Sequence, residues 1–131
     1  MANPRNIVSF NELDQHVSTY TTTGLAQSDL TGLTNFPDVA YAVIKTTANK
    51  QVGKGSAAGT LFGGAVKVEK DGNAAVVDRG VCAFTYTSTA PTPGASVASN
   101  GDGRVTAATA VPGNIVLDVD TTNLIVWVEL Q

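Results

Sequence analysis

The clearest periodicity in this chain lies near its C-terminal end. Ile115, Leu117 and Val119 alternate with Val116, Asp118 and Asp120. After a polar Thr121-Thr122-Asn123 break, Leu124, Val126, Val128 and Leu130 alternate with Ile125, Trp127 and Glu129. Apolar residues two apart on both sides of a short polar break predict a β-hairpin with one buried face. On that phase Asp118, Asp120 and Glu129 form the wet face. Ile125 and Trp127 share that face with Glu129, so this apolar pair is expected to be covered by an arm, a second sheet or another subunit, unless it packs as ordinary core.

The same grammar recurs more weakly upstream. Val39 to Ile44 is an apolar run that ends in the polar, glycine-containing stretch Lys45 to Thr60. Leu61 to Glu69 follows, then Lys70-Asp71-Gly72-Asn73, a hairpin turn in which glycine relieves positive φ. Ala74 to Val77 forms a return strand, Asp78-Arg79-Gly80 is expected to turn the chain again, and Val81 to Thr87 is the next strand. Pro91 and Pro93 exclude a central ladder and mark a loop. Asn100-Gly101-Asp102-Gly103 is a tight turn before a short strand from Arg104 to Ala110, and Pro112-Gly113 leads into the final hairpin. Six to eight short strands at this spacing predict an all-β barrel or sandwich over residues 36–131.

Residues 1–35 lack that alternation. Ile7, Val8, Leu30 and Leu33 stand singly among polar neighbours, whereas Phe10, Leu13 and Val17 fit one helical turn, with Ser9 and Glu12 as a capping box. Thr19 to Gly24 ends it. The expectation is an extended N-terminal arm, laid on a neighbour or across its own barrel.

Charge adds a second layer. The 131 residues suit one domain, and only 15% of them are charged, against about 25% in ordinary globular proteins. So bland a surface is expected to be covered by other subunits, unless it is simply a threonine- and serine-rich exterior. A net charge of −3 argues against nucleic acid as a partner. Acidic ends flank a basic middle carrying Lys45, Lys50, Lys54, Lys67 and Lys70, a pattern that favours head-to-tail contacts between copies or lysine-guarded strand edges. No run approaches the about 20 apolar residues of a membrane span, and Met1 to Phe10 lacks the apolar stretch of a secretory signal, so assembly in a cytoplasm is expected. Cys82, the single cysteine, sits in Val81-Cys82-Ala83-Phe84 and reads as a small buried hydrophobe.

Candidate chemistry is sparse. Lys54 in Gly53-Lys54-Gly55-Ser56 departs from a phosphate loop, because Gly55 separates the lysine from the serine. Asp118, Asp120, Thr122 and Glu129 match a calcium-loop spacing, but Asn123 stands where that loop needs glycine, and both flanks read as strands. His16 lies in the arm, and no Gly-x-Ser-x-Gly pattern frames a serine. No catalytic, metal or cofactor site is therefore expected, and the chain reads as a non-enzymatic surface.

Over residues 50–130 the chain resembles the small β-barrel decoration, or cement, proteins of tailed-bacteriophage heads. The likeness runs through Gly59-Thr60-Leu61-Phe62-Gly63-Gly64-Ala65-Val66, the Asp-Gly hairpin, Arg79-Gly80-Val81, Pro93-Gly94-Ala95-Ser96-Val97, Gly103-Arg104-Val105-Thr106 and the strand Leu124 to Leu130. The resemblance implies a structural virion protein that trimerises on the capsid exterior and ties neighbouring major capsid protein subunits together. The arm of residues 1–35 departs from the shortest members. Phe10, Leu13, Tyr20, Leu25, Ile125 and Trp127 are the interface candidates for such a role. The rival expectation is a fibre or adhesin-like module that binds a glycan or host surface through the loop Thr87 to Ser99.

Overall fold

The computed structural model describes residues 15–33, 39–87, 89–109 and 112–131. Its elements are β1 (His16–Thr23), α1 (Gln27–Thr31), β2 (Tyr41–Lys45), β3 (Gln51–Gly53), β4 (Gly63–Val68), β5 (Asn73–Thr85), β6 (Ser96–Ser99), β7 (Val105–Ala108), β8 (Asn114–Asp120) and β9 (Ile125–Leu130). The protein is all-β, as the alternation predicts, and it combines a small closed five-stranded barrel with additional strands.

The barrel closes in the order β1-β3-β2-β4-β5 and back to β1. Every pairing is antiparallel except the short parallel contact of β1 with β3. Closure leaves none of these strands as an open edge. Tyr20, Val43, Val52, Ala65, Val68, Ala74 and Val76, contributed by all five strands, form its core. Alternation then sends Ala40, Ala42 and Val77 to the opposite side, where they join a second core. With both faces of β2 buried, Val39 to Ile44 reads as a continuous apolar run instead of an alternating one.

β5 joins the two halves. Its first part pairs with β1 and β4, and from Gly80 onward it pairs with β9, which in turn pairs with β8. The expected turn at Asp78-Arg79-Gly80 is thus corrected: the strand runs through it. Gly80 at φ 99° takes a conformation that a side chain resists, and the strand changes partners there. The β6–β7 hairpin covers the second core with Val97 and Val105. Asn114 fastens it, its Oδ1 accepting from Val97 N at 2.8 Å and its Nδ2 donating to Val97 O at 3.0 Å.

The N-terminal stretch is corrected in part. Val17, assigned to a helical turn, is extended in β1, whereas Phe10 and Leu13 lie outside the described residues. β1 pairs with β5 from His16 to Thr21, so this part of the presumed arm is a barrel stave. Its burial pattern shows why it escaped notice. Tyr20 is its single buried side chain, so β1 is held largely by its backbone ladders and leaves no alternating apolar signature.

Candidate functional site

Three places gather side chains able to meet a partner. The first is the outer face of the β8–β9 hairpin. The sequence phase put Ile115 and Leu117 inward, but Val116 is the buried residue, and Ile115 and Leu117 are 36% and 39% exposed. The cause is a β-bulge: Val116 opposes Val128 and Asp118 opposes Trp127, so Leu117 is an extra residue pushed outward, and Val119 returns to the core side opposite Val126. Leu124, expected in the inward set, instead ends the connecting loop at φ 59° with 51% exposure. Asp120 organises that loop, accepting hydrogen bonds from the backbone N–H groups of Thr122 and Asn123 and from Asn123 Nδ2. These bonds, Asn123's above all, hold its carboxyl below the usual range. Trp127 is half-buried between Ala83 of β5 and Asp118 of β8. Ile115, Leu117, Leu124 and Trp127 therefore offer apolar surface on one hairpin, with Asp118 and Glu129 beside them.

Other interface candidates are used by the fold. Tyr20, Leu25 and Ile125 are 8%, 7% and 6% exposed. Tyr20 meets Phe62 edge-on at 5.4 Å and lies under Lys50 Nζ at 4.6 Å. Its hydroxyl donates to Asp78 Oδ2 at 2.8 Å, and His16 Nδ1 lies 2.6 Å from Asp78 Oδ1. This cluster is the second place. Burial alone would raise the Asp78 carboxyl, but hydrogen bonds from His16, Tyr20 and Ser18 outweigh it and hold it below the usual range. Burial and the Asp78 contact push Tyr20 up to about 12. All three residues lie across the β1–β5 seam, where they act as a clasp on the barrel.

The third place is a polar cleft of about 530 Å³ between α1, the chain after β3 and the β6–β7 turn. Lys54, weighed above as a phosphate-loop lysine, faces Asp29 across it at 3.2 Å. Arg104 donates from both Nε and Nη2 to Asp102 Oδ2, at 3.0 and 2.6 Å. Those contacts, with help from Asn100, draw Asp102 down to about 2. Tyr41 and Leu33 supply apolar lining. Burial, followed by the nearby Asp29 and Asp102 charges, pushes the Tyr41 hydroxyl up to about 12. The β6–β7 turn lies directly on the Tyr41 ring: a side chain at Gly103 would come within 2.4 Å of it. Sequence reasoning located that turn but not the cleft, because the Lys54–Asp29 pair on its other side joins residues 25 apart in the chain.

The remaining candidates resolve simply. Cys82 is buried, which pushes its thiol up to about 12. Asp118 accepts a hydrogen bond from Val119 N, and no three His, Cys, Asp or Glu residues cluster as metal ligands among the described residues. The proline loop is shorter than expected, because Ser96–Ser99 is a buried strand.

Fold and surface together define an all-β protein whose closed barrel carries an open, partly apolar sheet. No protein-family model matches this chain, and no curated protein matches it either.

Proposed function

We propose that this chain is a capsid decoration, or cement, protein. It binds the outside of a phage head at junctions between major capsid protein subunits, self-associates there as a homotrimer and stabilises the shell. The observation that carries this reading is the apolar outer face of the β8–β9 hairpin. Ile115, Leu117 and Leu124 are large apolar side chains that a solitary domain gains nothing by exposing together, and Trp127 adds an aromatic anchor of the kind that dominates protein interfaces. β8 supplies the other half of the mechanism. It ends the sheet order, and since Val116 already bonds Ala95 O and Gly94 N, this reading puts strand addition at its Asp118–Asp120 end. Repetition over a lattice multiplies modest contacts into firm attachment. Phe10 and Leu13 belong to the same reading as further contacts to the shell.

The test mixes purified protein with undecorated phage heads and measures co-sedimentation and the temperature at which the heads rupture. The reading expects binding at a fixed ratio and a higher rupture temperature. Light scattering should give the mass of a trimer on the head or in solution. Trp127→Ala should lower that mass or weaken binding; a change confined to melting temperature would make Trp127 core. Protein that ignores every head would overturn the proposal.

A further inference from the structure

We propose that the cleft between Asp29, Lys54, Tyr41 and the β6–β7 turn is a binding site for a neutral saccharide. The inference does not rest on the cement reading, since the cleft uses none of the β8–β9 hairpin residues.

Size is the first argument. A cleft of about 530 Å³ falls inside the about 300–1,000 Å³ of small-molecule sites and matches one or two sugar rings. Rigidity is the second. Gly103 packs on the Tyr41 ring, and Gly103 O accepts from Ala42 N at 2.9 Å, tying the turn to β2. Asp102 is held by four hydrogen bonds, from Asn100 Nδ2, Arg104 N, Arg104 Nε and Arg104 Nη2. A wall already fixed costs little ordering entropy when a ligand arrives.

The donor and acceptor inventory selects the ligand class. Asp102 already accepts four hydrogen bonds, whereas Arg104 donates through its backbone N, Nε and Nη2 alone among the described residues, which leaves Nη1 to a ligand. Lys54 Nζ donates to Asp29 Oδ1 at 3.2 Å and retains further protons. Asp29 accepts from Lys54 and from Ala26 N, which leaves acceptor capacity. The cleft therefore offers donors and an acceptor on ion pairs whose charges cancel, beside the neutral hydroxyl of Ser28. A phosphate would bring its charge beside two ionised carboxylates with no net positive field to offset it. A sugar hydroxyl accepts and donates at once. Neighbouring hydroxyls can accept a hydrogen bond from Lys54 Nζ and donate one to Asp29 without disturbing the ion pair. Leu33 provides apolar contact for a pyranose carbon face, while Tyr41, 4% exposed beneath Gly103, lines the cleft from a buried position.

The test records amide spectra of the ¹⁵N-labelled full chain during titration with a panel of neutral mono- and disaccharides, and separately with inorganic phosphate. At least one saccharide should shift the amides of Asp29, Lys54 and Gly101 to Arg104 while phosphate leaves them still. Lys54→Met and Asp29→Asn should each weaken that saccharide about tenfold, the effect of losing one charge-assisted hydrogen bond. Asp29→Asn keeps an acceptor for Ala26 N, so an unchanged remainder of the spectrum shows that the fold survives, and Val17→Ser serves as a control outside the cleft. Absence of shifts across the whole panel, shifts by phosphate alone, or undiminished binding by both cleft variants would overturn the inference.

Discussion

The two halves of β5 live in different proteins, physically speaking. Up to Asp78 the strand is one stave of a barrel in which every neighbour is paired and the seam is clasped by His16, Asp78 and Tyr20. Beyond Gly80 it belongs to an open sheet that ends at β8 and turns Ile115, Leu117 and Leu124 to solvent. The barrel strands pair with one another all the way round, and among the described residues their large exposed apolar side chains, Val17 and Val66, stand singly on β1 and β4. The open half ends at β8 and exposes three such side chains on one hairpin. On the proposed function, that difference puts the partner-facing surface on the open half and makes the barrel its scaffold.

The comparison breaks most severely if the two cores prove inseparable. Phe84 is fully buried in the core under the open sheet, and Phe84→Ala should cost about 3–5 kcal/mol from lost contacts and the cavity left behind. Thermal unfolding measures the cost, and hydrogen exchange measures where it falls. Amides of β8 and β9 should lose protection before those of β1 to β4. Equal loss in both sets would make the molecule one cooperative unit and end the distinction.

A smaller effect tests the clasp. Asp78→Asn removes a mostly buried charge from its partners and should cost about 1–3 kcal/mol. The pH dependence follows from the direction of the shift. The folded Asp78 carboxyl binds its proton more weakly than the unfolded one. The unfolded chain therefore takes up more protons in acid, and the stability that Asp78 contributes is present at neutral pH and lost as pH falls below about 4. Melting temperature should drop in that window for the wild type and drop less for Asp78→Asn. The slope that remains belongs to carboxylates such as Asp102, drawn down to about 2. A further, stabilising change belongs to the open half. Thr85 Oγ1 is buried with no hydrogen-bond partner among the described residues, so Thr85→Val should raise stability by about 1 kcal/mol in a denaturant titration.

The contrast between the halves also explains what was legible in the sequence. Apolar runs between turn residues announced β4, the two halves of β5 and the β8–β9 hairpin, although β5 buries every side chain from Val81 to Thr85 and runs straight through the expected turn. β1 and the three-residue β3 were hidden, since Gln51–Gly53 is too short to show a period and β1 buries little beyond Tyr20. Phase failed where an extra residue entered: Leu117 and Val66 both stand at register shifts, and both are exposed. A bulge leaves composition untouched while reversing which face follows, so no local count reveals it. The cleft was illegible for a different reason. Asp29 meets Lys54 only because α1 and the chain after β3 fold together, and the Asp29 and Asp102 charges that act on Tyr41 come from segments far apart in the sequence.

The smallest stability effect carries the sharpest functional contrast. Leu117 is the ejected residue of a bulge, and Leu124 holds a positive φ that leucine adopts at a cost of roughly 1 kcal/mol. The double variant Leu117→Ser, Leu124→Asn removes exposed apolar surface and places at 124 a residue that tolerates that backbone. Its melting temperature should match the wild type or exceed it slightly, because the side chains removed bury little within the chain. Binding to undecorated heads should fall steeply, since the same side chains lose water only when a partner covers them. The matching change on the barrel, Val17→Ser, removes a side chain of 49% exposure and should leave head binding intact. Loss of binding from Val17→Ser with none from the hairpin variant would move the partner surface to the barrel and reverse the roles assigned to the two halves of β5.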